Sequence, residues 1–102
     1  MFVHTVYFWL DKNLTEDERA DFLRGLESLR KIDGVLHVVI GPPALTKRPA
    51  VDRTYDYALT VLATGMEGYH VYQNHPIHKA FVEKYSHHWI KVVIYDHEDP
   101  SV

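Results

Sequence analysis

The 102-residue chain is 46% hydrophobic, has no cysteine, and carries a formal charge of -3 with its 8 histidines neutral. This is too apolar for a disordered segment and too short for two domains, so residues 1–102 read as one folded domain. Without cysteine there are no disulfides, thiolate nucleophiles or cysteine-ligated metals; the best basic run, Lys47-Arg48 with Arg53 nearby, is too sparse for a nucleic-acid face.

Phe2 to Leu10 is rich in aromatic and β-branched residues and predicts a first strand. It lacks a basic start and a small-residue cleavage site, and it meets Asp11-Lys12 too soon to span a bilayer. A buried strand in a cytoplasmic protein, with no membrane partner, is the expectation. Thr15-Glu16-Asp17-Glu18 has capping-box spacing and opens a helix predicted from Glu16 to Lys31. Phe22, Leu26 and Leu29 share one stripe of it, flanked by Ala20 and Leu23, so it packs on something flat. Asp33-Gly34 ends the helix, and a second strand follows from Val35 to Ile40. Gly41-Pro42-Pro43 stops that strand. Its prolines remove the amides a phosphate loop needs, so it reads as a turn. A polar loop from Ala44 to Arg53 is the expected mobile element.

Tyr55 to Leu62 predicts a third strand. A short helix carrying Tyr69, Tyr72 and Gln73 then runs to a break at Asn74-His75-Pro76. Pro76 suits the first position of a further helix reaching Tyr85, which puts His75 at the cap and His78 third in the turn. There the helix dipole disfavours imidazolium and keeps a neutral base available. His88 to Asp96 is the fourth predicted strand. The order β-α-β-β-α-β is the split βαβ, or ferredoxin-like, plan: α+β with a four-stranded antiparallel sheet.

Alternation assigns the faces. His4, Val6, Phe8 and Leu10 oppose Val3, Thr5, Tyr7 and Trp9; Tyr57, Leu59 and Val61 oppose Ala58, Thr60 and Leu62; Val92 and Ile94 oppose Val93 and Tyr95. The helices cover one face, yet both are substantially apolar. A second copy packed sheet to sheet through Val3, Tyr7, Trp9, Ala58, Leu62, Val93 and Tyr95 is the simplest cover, giving a homodimer.

His4-x-Val6-x-Phe8, Gly34-Val35, Tyr55-Asp56-Tyr57-Ala58-Leu59, Tyr72-Gln73-Asn74-His75-Pro76-x-His78-x-x-Phe81 and Trp89-x-Lys91-x-x-x-Tyr95-Asp96 together resemble the stress-responsive α/β-barrel family. The resemblance implies a dimeric α+β barrel. One plant member of that family is a polyketide cyclase that uses a histidine base beside a tyrosine. On this chain those roles fall on His78 and Tyr72, and His4 is retained. A third pocket histidine of the cyclase is replaced here by Tyr57, which changes both shape and proton chemistry.

The expected site therefore has His78 and Tyr72 as catalytic residues and His4 and Tyr57 orienting the substrate. Phe8, Phe22, Leu26, Leu59, Phe81 and Trp89 form its apolar wall. The expected ligand is a small apolar carbonyl compound, processed by a cofactor-independent cyclase, lyase or isomerase. The alternative is a non-catalytic stress-associated dimer or hydrophobic-ligand binder. His75-x-x-His78 and His87-His88 invite a metal reading, but no third ligand is fixed by spacing, and adjacent strand histidines point to opposite faces. No metal and no cofactor are expected.

Overall fold

A computed structural model describes all 102 residues. β1 (Phe2–Leu10) leads to α1 (Glu16–Ser28), then β2 (His37–Gly41), β3 (Tyr57–Ala63), α2 (Met66–Asn74), α3 (Pro76–Tyr85) and β4 (Trp89–Glu98). The sheet order is β2-β3-β1-β4, with β1 antiparallel to both β3 and β4 and β2 antiparallel to β3. This is the ferredoxin-like α+β fold.

The capping box forms as its spacing implies. The Glu18 N–H donates to Thr15 Oγ1 at 3.1 Å, and the Thr15 N–H donates to Glu18 Oε1 at 2.9 Å. The α-helix ends at Ser28 rather than Lys31, because Leu29–Lys31 tightens into a 3₁₀ turn. The second strand starts two residues later than expected, at His37, and the third at Tyr57 rather than Tyr55. Asp56 explains the later start of the third strand. Its N–H donates to the Phe8 carbonyl, and its carboxylate accepts from the Leu10 N–H at 2.8 Å and from Arg19 at 3.2 Å, so it pins the loop to β1 and α1.

The face assignment holds along β1. Residues 2, 4, 6, 8 and 10 are buried and residues 3, 5, 7 and 9 half-buried in strict alternation. Phe8, Leu59, Phe22, Leu26 and Leu29 join the inner core. Full burial of a side chain such as Phe22 contributes about 1.5–3 kcal/mol. Gly25 lets α3 approach α1, since a Cβ there would lie 2.2 Å from the Tyr85 ring. The fourth strand begins at Trp89, after a 3₁₀ turn over Ser86–His88. His87 and His88 therefore do not alternate as strand residues; their rings lie 4.2 Å apart. The outer face keeps apolar surface, with Tyr95 exposed and Tyr7, Trp9 and Val93 half-buried. A groove of about 400 Å³ there is bordered by Tyr7, Trp9, Val51, Tyr55, Val93 and Tyr95. No helix is long and apolar enough to cross a membrane.

Candidate active site

The break between α2 and α3 is built as the sequence implies. Pro76 is the first residue of α3, and His75 caps it, with Nδ1 accepting from the Ile77 N–H at 3.1 Å. Because Pro76 has no N–H to lose, the chain turns sharply there without forfeiting a backbone bond. The turn brings His78 back over Tyr72, with ring centroids 4.8 Å apart. Tyr72 also lies 6.0 Å from the His4 ring. The fold thus gathers side chains from β1, α2 and α3 at one corner of the helix-covered face.

A cavity of about 180 Å³ opens at this corner between the helices and β4. His4, Phe8, Leu59, Tyr72, His78, Phe81 and Trp89 line it, joined by Val6, Gln73, Val82, Val92 and Ile94. Two residues expected in the wall, Phe22 and Leu26, and one expected to orient the substrate, Tyr57, do not reach it. Phe22 and Leu26 are fully buried on the inner side of α1, and the Tyr57 ring is tilted against Phe22 with centroids 6.0 Å apart, outside the cavity lining. Strand parity put Tyr57 on the correct face, but it cannot report position along the strand relative to α3.

Burial lowers the His78 pKa from its ordinary value; a protonated His4 would lower it further, while a hydrogen bond to the Gln73 backbone opposes both. The ring is therefore neutral near pH 7. Burial raises the Tyr72 pKa well above the ordinary phenol value, so its hydroxyl stays protonated as a donor. That hydroxyl is buried with no hydrogen-bond partner, and so is the Trp89 indole N–H. His4, only 2% exposed, is held by Asp96, with Nδ1 to Oδ1 at 2.6 Å. Asp96 stands directly opposite His4 in the β1–β4 register. The sequence carried the signal for this partner, because Asp96 has the parity of Val92 and Ile94 and so shares the face of His4. Gln73 was legible only as one residue after Tyr72 on a short helix. For metals, no group of three His, Asp or Glu residues converges anywhere. The His75 nitrogen that faces its helix is already occupied as the cap.

Fold and cavity together define a ferredoxin-like α+β domain with a small, mostly apolar hollow rimmed by histidine and tyrosine. The chain belongs to the Stress responsive A/B Barrel Domain family, whose model matches residues 2–99. Among solved structures it is similar to a family protein of ferredoxin-like fold from Mesorhizobium loti, with 26% identity, a TM-score of 0.78, and coverage of 96% of this chain and 95% of that one. A dimeric ferredoxin-like protein of unknown function from Thermobifida fusca matches at 21% identity and a TM-score of 0.78, covering 96% and 90%. A hydroxynitrile lyase from Passiflora edulis matches at 16% identity and a TM-score of 0.79, covering 99% and 94%. These last two likenesses concern the fold. A search of curated proteins gives no significant match.

Proposed function

We propose that the chain is a cofactor-independent lyase, cyclase or isomerase acting on a small, largely apolar carbonyl compound through His78 and Tyr72. The observation that carries this reading is the Tyr72 hydroxyl, buried without a protein partner beside a neutral imidazole. Burying an unpaired hydroxyl costs free energy, and a bound carbonyl oxygen would satisfy it. His78 takes a proton from the carbon next to the carbonyl, and the released electron pair moves onto oxygen as an enolate. Tyr72 donates a hydrogen bond to that oxygen, where charge develops. Protonated His78 then returns the proton to carbon in an isomerase, or to the oxygen formed or released in a cyclase or lyase. His4, fixed by Asp96, orients the substrate at the inner end of the cavity. The hydroxynitrile lyase of the same fold supports chemistry at a carbonyl carbon, though only by analogy of fold.

A screen of small ketones and aldehydes for thermal stabilisation identifies binders, since ligands that bind only the folded state raise the melting temperature. Exchange of the α-protons of those binders in D₂O then reads the proposed step directly. His78→Ala is expected to slow catalysed exchange by roughly 10²–10⁴-fold without unfolding the chain. Unchanged exchange in that variant rules out the base. Stabilisation with no exchange in the parent protein turns the reading to a ligand binder.

The same reading includes a homodimer through the outer sheet face. Its support is the exposed apolar surface around Tyr7, Val93 and Tyr95, together with the dimeric relative from Thermobifida fusca. Tyr7→Glu would force a carboxylate into that layer and weaken association by several kcal/mol. Sedimentation at several concentrations checks this, and a variant that remains a tight dimer contradicts it.

A further inference from the structure

The chain contains two indoles. Trp9 Nε1 donates to Thr54 Oγ1 at 3.0 Å, as an N–H near the surface ordinarily does. Trp89 Nε1 is buried and donates to nothing, yet its ring lines the cavity. A sealed core would leave such a donor unpaired only at the cost of its lost hydration. The two orphaned donors of this molecule, the Tyr72 hydroxyl and the Trp89 indole, thus belong to residues that line one and the same hollow.

They sit at opposite ends of it. Tyr72 lies against His4, and Trp89 lies against Phe8 with ring centroids 5.1 Å apart. His4 and Phe8 are four residues apart on β1, which is about 13 Å along a strand. Between these ends the walls are apolar, formed by Val6, Leu59, Phe81 and Val92. The volume of about 180 Å³ is slightly larger than the roughly 150 Å³ known to hold benzene. It fits a compound of about eight non-hydrogen atoms.

Resting on the reading of this corner as a carbonyl-binding site, we infer that Trp89 is a specificity residue whose indole N–H takes a second acceptor of the substrate. The substrate class is accordingly a small neutral compound with two oxygen acceptors at opposite ends of an apolar ring or short chain. One acceptor is the reacting carbonyl at Tyr72 and His78. A compound with one carbonyl and an apolar far end leaves the indole unpaired and binds less well for its size.

Cyclohexane-1,4-dione and 4-methylcyclohexanone have the same number of non-hydrogen atoms and differ in the far acceptor, so they serve as probes. Saturating dione is expected to move the Trp89 indole N–H resonance downfield and leave that of Trp9 in place. Trp89→Phe, which keeps an aromatic wall and removes the donor, should shift the ratio of the two dissociation constants about fivefold against the dione. The indole measurement needs no variant, so it decides even if Trp89→Phe folds poorly. An unmoved Trp89 resonance at saturation, an unchanged ratio in Trp89→Phe, or no saturable binding of either probe overturns the inference. If α-proton exchange still depends on His78 while the ratio is unchanged, this inference fails and the proposed chemistry stands. If the ratio shifts but His78→Ala leaves exchange intact, only the chemistry fails.

Discussion

Tyr85 and Tyr72 are both buried on the helix-covered face, and their hydroxyls meet opposite fates. Tyr85, at the end of α3, donates to the Asp21 carbonyl at 3.0 Å and lies 3.1 Å from the Asp21 carboxylate, across a seam closed by Gly25. That bond holds the Asp21 carboxyl below its usual pKa range. Tyr72, no more exposed, has no partner. Tyr85 packs on Phe22 and Phe81 beside an open surface groove bordered by Asp21 and Gly25, whereas Tyr72 lines the narrower cavity under α3. One hydroxyl is satisfied within the chain, and the other, in a mostly apolar corner, is not. An unsatisfied buried donor in a folded domain calls for an explanation, and the proposed ligand is the one that the cavity beside Tyr72 supports.

The contrast breaks if both halves respond alike to added volume. Gly25→Ala puts a methyl into the Tyr85 ring, and the expected net loss is about 1–2 kcal/mol after the gain in helix propensity. Val82→Ile adds a methylene at the cavity wall, where there is room, and should stay within about 0.5 kcal/mol of the parent. Denaturant unfolding of the two variants compares the halves directly. Equal losses would mean that the cavity is not a real void in the packing.

A smaller effect sharpens the contrast through pH. The folded-state pKa of His78 is depressed below its ordinary 6.5. Above that value the ring is neutral in both states and contributes no pH dependence. As pH falls through it, the unfolded chain takes up a proton that the folded site resists, so stability drops until the folded ring is also protonated. His78→Gln should remove this part of the acid sensitivity, a slope of at most one proton. Stability curves that stay parallel from pH 7 to 5 would place His78 in open solvent.

Much of this arrangement was legible in the chain. Parity alone assigned His4, Phe8 and Leu59 to the covered face, because a strand's side chains have a period of two and nothing interrupts β1. Pro76 fixed the start of α3, since its ring is tolerated there and not one turn later. The third strand's start was not legible, because Asp56 is held by long-range bonds to Leu10 and Arg19 that no local propensity encodes. Nor was the boundary between wall and core. Phe22, Leu26 and Tyr57 have the same hydrophobic signature as Phe81 and Trp89, and only the placement of α3 over β4 separates the two sets. Two buried donors without acceptors are a property of packing rather than of sequence, which is why Trp89 reads there only as an apolar wall.

Paired removal of the two hydroxyls tests the contrast without knowledge of any ligand. Tyr85→Phe and Tyr72→Phe delete the same atom from two buried rings, and equilibrium unfolding in denaturant measures each loss. Tyr85→Phe should cost about 1–2 kcal/mol, because a satisfied bond is broken and the Asp21 groups lose their donor. Tyr72→Phe should be neutral or slightly stabilising, because an unpaired buried hydroxyl is removed. A Tyr72→Phe variant as destabilised as Tyr85→Phe would show that its hydroxyl already has a partner within the folded chain, and that the corner is finished core and not a binding site.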